Sequence, residues 1–576
     1  MKLIYKILML VCALTLASCS GFLDDQKPQG TMDDEKLKDP AYVDNLVISA
    51  YAVFISAEDI NASFSMWNYD VRSDDAYKGG NGTEDGDVFH ALEVSTGIKT
   101  TAWNISDIWN RLYNSISRVN IALSVLEDME ESEFRNQKIG EMRFLRGHGH
   151  FLLKQLYKNI VFVIQADLPA EGYNTLSNTT YTNDEGWQKI ADDFQYAYED
   201  LPEVQADKGR PTKAAAAAYL AKTYLYKAYR QDDPTTHAIT SINKDDLRKV
   251  LEYSDAEIYA AGGYGLESDF VNNFLPEPQY ENGKESIWAM QYSLNDGTTN
   301  GNCNWGNGLI CPNIPGVTDG GCDFYKPSQN LVNAFRTDAN GYPFFDTFNN
   351  EDYDPASDFV DPRLFHTVGI TGFPYEYNPN LIMDKSVTWS RSNGLYGYYV
   401  TLKQNVDPES GYLVKGSFWG TSLNHIVLRY ADVMLMRAEA LIQLNEDVGI
   451  PEAMNLINEI RLRAKRSLTK ISNYPADYGA KFNVQPYSGT PSQPDALKML
   501  KFERRLELAM ESDRFFDLVR WGDAATVLNS YYAHEADNCS IYANASFTPN
   551  KHEYLPIPYR QVSASAGHYT QNIGGW

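Results

Sequence analysis

The sequence predicts a mainly α fold: a tetratricopeptide-like scaffold of helix pairs carrying a large loop-rich insert. Three observations lead there. Segments with apolar residues at i, i+3, i+4 and i+7 cluster in two stretches, residues 38–261 and 424–522, the spacing of helices with one buried face. These helices pair across short turns, the pattern of a helix–turn–helix solenoid, with a loose repeat period. Between them, residues 262–423 lose the helical period and are dominated by Gly, Pro, Asn and aromatic residues, as expected of loops and short strands.

Taken in order, the chain opens with Lys2 and Lys6 and the apolar run Ile7–Leu16. That run is too short to span a bilayer and reads as a secretory signal over residues 1–18. Leu16-Ala17-Ser18-Cys19 matches the bacterial lipobox, where the signal is cut before the cysteine and the cysteine is acylated. Cys19 is therefore expected to carry lipid, with about 0.8 kcal/mol of anchoring per buried methylene. Residues 19–37 are polar and read as a tether. A helix is expected over 40–55, burying Val43, Leu46, Val47, Ala50 and Phe54. Residues 57–104 break the rhythm and read as a long loop, a kind that is uncommon unless functional. Helices are expected at 106–129, 133–158, 184–200 (capped by Asn183 or Asp184), 214–229 and 245–260. In the first of these, Trp109, Tyr113, Ile116, Asn120 and Leu123 share one face. Trp103 precedes Trp109 by six residues and so points about 120° away from that face. Strands are expected at 286–292 and 397–402. Helices resume at 426–444, 451–467 and 494–521, and the end of the chain is expected to be extended. Residues 38–261 are thus an N-terminal scaffold, 262–423 the insert, and 424–576 the C-terminal part of the same body.

Composition excludes some partners. The formal charge of −26, with no basic cluster, argues against nucleic acid and against an anionic membrane surface. No other stretch reaches the length of a membrane span, so lipid is the expected attachment. Tyrosine, with 39 copies, combines an apolar ring and a wet hydroxyl. Cys12 leaves with the signal, and Cys303, Cys311, Cys322 and Cys539 remain without a Cys-x-x-Cys pair, so zinc is not indicated. A bridge between Cys311 and Cys322 is expected from the short loop between them. The acidic run Asp70, Asp74, Asp75, Glu84, Asp85 and Asp87 lacks the spacing of an EF-hand, so a solvated loop is expected over a calcium site, and no cofactor is assigned. His148 and His150 point about 200° apart on a helix and are poor partners for one metal.

Four segments resemble one family. Gly140-Glu-Met-Arg-Phe-Leu-Arg146 with Gln155-Leu-Tyr157 is similar to the "E-x-R-F-L-R-A … L-Y-G" helix of the SusD/RagB family. Gly209-Arg-Pro-Thr-Lys-Ala-Ala-Ala216 resembles its "G-R-A-T-K-G-A-A" helix start. Residues 502–522, from Phe502-Glu-Arg-Arg to Leu-Val-Arg-Trp-Gly522, resemble its "E-R-R-x-E-L-A-F-E-G-x-R-F-F-D-L-V-R-W-G" signature. Leu555-Pro-Ile-Pro558 with Gln571-Asn572 resembles its closing "P-I-P … Q-N" segment. Two departures stand out: Gly147-His148-Gly149-His150, and Met510-Glu511-Ser512 in place of Phe-Glu-Gly. Within the signature, Arg504 with Glu507, Glu511 with Arg514, and Asp517 with Arg520 are helical neighbours, worth about 0.2–0.5 kcal/mol each if exposed. The acidic pair Asp24-Asp25 resembles the surface-export signal of Bacteroidetes lipoproteins. The resemblance implies a non-enzymatic, mostly helical outer-membrane lipoprotein that faces the cell exterior, binds glycan on a loop-rich face and closes over a SusC-like TonB-dependent transporter.

The segments not explained by scaffold carry the candidate site. Sugar recognition pairs an aromatic face with Asp, Asn or Arg for hydroxyls. Asp59, Asn61, Asp85 and Trp103 supply that mixture near the ends of the first loop, with Trp103 as stacking platform. Trp67 and Tyr69 read as core or loop anchors. Trp305, Arg391 and the Cys311–Cys322 loop are candidates in the insert. The expected ligand is an oligo- or polysaccharide, and a neutral one such as a fructan suits the acidic chain. A peptide ligand, as some relatives handle, is the nearer rival. A glycoside hydrolase would need a carboxylate pair at about 5–9 Å, and no segment resembles a hydrolase motif.

Overall fold

The computed structural model describes residues 39–55, 70–164, 172, 175–294, 296–298, 301–384, 389–416, 419–446, 448–472 and 480–576. Cys19, the tether, Asp59, Asn61, Trp67 and Tyr69 lie outside the described residues. Helix α1 (Pro40–Ile55) buries Val43, Val47, Ala50 and Phe54. After it come α2 (Asp87–Glu93), α3 (Trp103–Glu127), α4 (Glu133–Tyr157), α5 (Asn183–Asp200), α6 (Lys213–Ala228) and α7 (Lys244–Tyr253). From α3 to α7 each helix packs on the next, and α1 covers α3 and α4. The Ala214–Ala218 run of α6 is fully inside the stack, where small side chains permit close approach.

The departure at Gly147-His148-Gly149-His150 has a packing cause. A Cβ on Gly147 would come within 2.9 Å of the Phe194 ring on α5, and one on Gly149 within 2.9 Å of Ile116 on α3. Helix α4 is thus pressed between its neighbours at two glycines. The histidines beside them are buried, and burial pulls both down to about 3, so they are neutral core groups. His148 Nδ1 meets the Tyr219 hydroxyl.

The C-terminal helices are α8 (Tyr430–Leu444), α9 (Gly449–Arg466), α10 (Gln493–Glu507), α11 (Arg514–Trp521) and α12 (Ala524–Asn538). Helix α8 packs on α6 and α7 as well as on α9 and α10, so the second block continues the first stack. The short strands include β1 (Ala76–Gly79), β2 (Ser286–Met290), β3 (Phe324–Pro327), β4 (Leu413–Lys415), β5 (Trp419–Thr421) and β6 (His425–Arg429). The antiparallel pairs β1–β3, β4–β5 and β2–β6 pin the insert.

Several boundaries differ from expectation. Helix α3 starts at Trp103, not at 106. Helix α5 is capped by Thr182, in a capping box with Glu185, because that hydroxyl reaches the third amide of the helix. The stretch 245–260 breaks into α7 and a short helix, Ala256–Ala261, with Asp255 capping the restart. The stretch from 426 begins as β6, since His425–Arg429 pairs with β2, and helix starts only at Tyr430. In 397–402 only Val400–Thr401 pairs as strand. The 494–521 helix is two helices, because Met510 and Ser512 take φ of +61° and +77°, which ends an α-helix. Helix α12 and the short helix Tyr559–Ala564 stand where no helix was expected.

The acidic run is not a solvated loop at its first half. Asp70, Asp74 and Asp75 are buried. Asp74 pairs with Arg514 (2.8 Å) and Arg505 (3.2 Å), and Asp75 with Arg505 (2.7 Å). Asp70 accepts from the Tyr325 hydroxyl and from the Ser512 amide (2.9 Å). Of the three local pairs expected in the signature, Asp517–Arg520 forms at 2.8 Å. Arg504 turns instead to Asp432 and Asp517, and Glu507 is met by Arg363, Arg429 and Arg463. The signature therefore ties both helical blocks and the insert together through buried ion pairs.

Candidate functional site

Strands β1 and β3 pair antiparallel, Ala76 opposite Pro327 and Gly79 opposite Phe324. That register brings the turn after β1 against the loop before β3, and the Gly80 amide donates to the Asp323 carbonyl at 2.9 Å. A Cβ on Gly79, at φ +77°, would lie 2.4 Å from that same carbonyl oxygen, so only glycine fits. Lys78 is buried beneath the turn and donates to the carbonyls of Gly79, Gly82 and Asp85, at 2.8, 2.9 and 2.6 Å. Burial pulls its ammonium down to about 8, against the pull of Glu93 and Asp85. The turn is fixed from inside by one side chain.

On this turn the Asp85 carboxylate accepts from the Asn81 amide (2.8 Å) and from Arg391 Nη1 (3.3 Å). The Arg391 amide in turn donates to the Asp323 carboxylate at 2.9 Å. Asp323 is paired with Lys326 at 2.7 Å, both buried. Two candidate residues far apart in the chain thus meet, each partly open to solvent. Cys322 lies by them: burial raises its thiol, and the nearby Arg391 charge opposes that rise.

Trp103 is 51% exposed. Its ring stands edge-on to Phe89 at 5.6 Å, and Phe89 sits on α2, which directly follows Asp85. Helix α2 therefore links the indole to the Asp85–Arg391 turn. Trp109, six residues on, is buried, consistent with the phase difference between them. Trp305 belongs to another element. Its ring covers the β4–β5 hairpin, where a Cβ on Gly416 would come within 2.6 Å of it. That hairpin reaches the 311–323 loop through Lys415, which donates to the Asp319 carbonyl at 3.0 Å.

The expected Cys311–Cys322 bridge is not formed. Both are free thiols, and each sulfur turns to a nearby carbonyl, that of Pro312 for Cys311 and that of Gly320 for Cys322. The loop is closed instead by the Asp323 amide donating to the Cys311 carbonyl at 3.0 Å. Among the described residues no group of His, Cys, Asp and Glu could hold a metal, and no helix is long and apolar enough to cross a membrane. A cleft of about 430 Å³ lies by α10 and α11, lined by Phe345, Phe348, Leu497, Phe502 and Trp521, and it includes none of the candidate residues.

Sequence reasoning missed Tyr559, which is 57% exposed. Its amide donates to the Thr100 carbonyl at 2.9 Å, just ahead of Trp103. Two residues later Gln561 donates to Asn110 Oδ1 at 3.0 Å on α3. No periodicity marks Tyr559. Its one signal is its place directly after Pro556 and Pro558.

A family profile described as "SusD family" matches residues 284–576. The chain belongs to the SusD family. A second profile, described as "Starch-binding associating with outer membrane", matches residues 21–225. A similar curated protein is "SusD-like protein P2" of Formosa agariphila, 24% identical over 585 residues, with 99% of each chain covered. Several solved structures share the fold. A "Laminarin binding SusD-like protein" has a TM-score of 0.63 at 20% identity, covering 93% of this chain and 99% of that one. "Surface glycan-binding protein A" of Bacteroides fluxus has a TM-score of 0.64 at 22% identity, with the same coverage. In this SusD-family chain the family glycine of the signature is Ser512, and the backbone there keeps a left-handed φ.

Proposed function

We propose that this SusD-family chain is a non-catalytic cell-surface lipoprotein that captures an oligo- or polysaccharide and delivers it to a SusC-like TonB-dependent outer-membrane transporter. The observation that carries the reading is Trp103: a half-exposed indole joined through α2 to a turn that Lys78 holds rigid and that presents Asp85 and Arg391. An aromatic face takes the C–H side of a sugar ring, and fixed planar charged groups take its hydroxyls. Asp59 and Asn61 join this site on sequence grounds, and Cys19 carries the lipid. The names of the similar structures, which speak of laminarin and of glycan, support glycan over peptide. A charge of −26 favours a neutral glycan, a β-glucan or a fructan, over an acidic one. Asp85, which accepts from the Asn81 amide and from Arg391, offers its carboxylate as an acceptor to sugar hydroxyls.

Native gels cast with laminarin, amylopectin or inulin test this, with a tryptic casein digest titrated by calorimetry as the peptide arm. Retardation by at least one polysaccharide, with no shortened products, is expected. Trp103→Ala should weaken that binding by about 1–3 kcal/mol, the range of a stacking anchor. A variant within about twofold of wild type, about 0.4 kcal/mol, would remove Trp103 from the site. Heat on mixing with casein peptides and none with any glycan would make the peptide reading the correct one.

A further inference from the structure

We infer that the binding face extends from Trp103 onto the C-terminal segment, where Tyr559 is a second stacking platform and the Asn110–Gln561 amide pair contacts hydroxyls, so that an extended neutral polysaccharide binds along its length. The inference rests on the glycan reading above and adds to it residues, a direction and a ligand shape.

The chain brings Tyr559 to this place by a specific bond. Its amide donates to the Thr100 carbonyl at 2.9 Å, and the Ala102 amide donates to the Lys99 carbonyl at 3.0 Å in the turn that launches α3. Tyr559 therefore stands against the turn whose next residue is Trp103. Pro558, at φ −56°, stiffens the backbone directly before it. Trp103 and Tyr559 are 51% and 57% exposed. Exposed tryptophan and tyrosine rings held on rigid backbone bring large contact area at low entropy cost, which is why such rings recur in recognition surfaces.

What surrounds these rings also suits a sugar. Asn110 is seven positions beyond Trp103, about 20° from it around the α3 axis, and thus on the same outer stripe. Asn110 is exposed, and its Oδ1 accepts from Gln561 Nε2 at 3.0 Å. Each amide keeps a second polar atom of opposite sense, an NH2 on Asn110 and a carbonyl on Gln561, matching the donor–acceptor character of a hydroxyl. Asp107 and Arg111 on α3 neutralise each other at 2.6 Å, and Arg560 is exposed beside Tyr559. The patch is therefore not acidic, although the whole chain is. Two platforms on an open surface hold the middle of a polymer; a site for a chain end would need a wall.

The test compares wild type, Trp103→Ala, Tyr559→Ala and Tyr559→Phe in gels cast with laminarin, amylopectin and inulin, with thermal melts as the control for folding. On whichever polymer retards wild type, Tyr559→Ala should bind about five- to tenfold more weakly, the scale of one lost aromatic anchor. Tyr559→Phe, which keeps the ring, should stay within about twofold. Calorimetry with a disaccharide and a hexasaccharide of the same linkage should show the Tyr559→Ala loss on the longer ligand only. If Trp103→Ala loses binding while Tyr559→Ala matches wild type on polymer and hexasaccharide, the extension is wrong and the glycan reading stands. If wild type is retarded by none of the polymers, the reading itself fails, and the extension with it.

Discussion

Glu507 is where the scaffold role of the long signature can be measured. Its carboxylate meets Arg363 at 2.9 Å and also Arg429 and Arg463, with every partner buried. Pairing among helical neighbours on a wet face would make each contact worth about 0.2–0.5 kcal/mol. In the buried arrangement Glu507→Gln leaves three guanidiniums short of a counter-charge, and removing one partner of a buried pair costs about 3–5 kcal/mol. Glu285 still pairs with Arg429 and Arg463, and Glu503 with Arg363. These hold the expected loss near the lower end, about 3 kcal/mol. Urea unfolding followed by tryptophan fluorescence reads it. The exposed pair Lys249–Glu252 at 2.7 Å on α7 is the control, and Glu252→Gln should cost less than about 0.5 kcal/mol. Equal shifts from the two variants would refute the claim that burial gives the signature charges their weight. Folded Glu507→Gln should still be retarded by polysaccharide as wild type is, since Glu507 is buried and not on the proposed binding face.

Ser512→Gly should raise stability by about 1 kcal/mol, because Ser512 holds φ +77° and a left-handed L-residue costs roughly 1–2 kcal/mol; an unchanged or lower unfolding midpoint in urea would show that the strain is relieved elsewhere. Acid unfolding should follow Glu439. Burial alone would raise that carboxyl, but Arg520, with help from Arg504 and Tyr229, outweighs it and holds the pKa down to about 2. A folded pKa below the unfolded one gives stability that is complete above about pH 4.5 and is lost as pH falls towards 2, on the order of 3 kcal/mol, so Glu439→Gln should flatten the acid limb of stability against pH. Asp70 acts with the opposite sign: burial, then the Asp75 charge, push it up to about 8, so its contribution declines as pH rises from about 4 to 8, and Asp70→Asn should be relatively more stable at pH 9 than at pH 6. Finally, Cys19→Ala, expressed without the transporter, should leave the membrane fraction; if it still sediments with outer membrane, lipid on Cys19 is not the anchor.

Periodicity made the helical stack legible, because burial of one helix face imposes a spacing that composition cannot hide. The stripe Trp109, Ile116 and Leu123 is inside α3, and Val43, Val47, Ala50 and Phe54 are inside α1. The ends were less legible, because caps depend on single side chains: Thr182 takes the cap of α5 with Glu185, although Asn183 and Asp184 are also good cap residues. Charge pairing was the least legible. A local rule pairs Arg504 with Glu507, yet Arg504 reaches Asp432, and Arg505 and Arg514 reach Asp74. Such contacts follow from tertiary packing and leave no spacing in the sequence. For the same reason an acidic run that reads as solvated is, at Asp70, Asp74 and Asp75, part of the core.

A binding face is harder to read than a core, since exposed side chains answer to a ligand and not to the chain's own period. Trp103 could be singled out because it sits next to a periodic element and out of phase with it, so its departure had something to depart from. Asp85 is legible from its chemistry and its place near the end of a long loop, and Arg391 from its expected exposure in the insert; their contact at 3.3 Å rests on the β1–β3 pairing, which neither local sequence announces. Trp305 is legible on the same ground as Arg391, expected exposure in the insert, and it packs on a glycine hairpin. The Cys311–Cys322 loop is closed by a backbone bond, so sulfur count was no guide to its stiffness. Tyr559 had neither phase nor motif; only the bond from its amide to Thr100 places it by Trp103. A residue of that kind becomes visible when the fold is known, and its role is decided by whether removing one exposed ring changes binding of a long glycan but not of a short one.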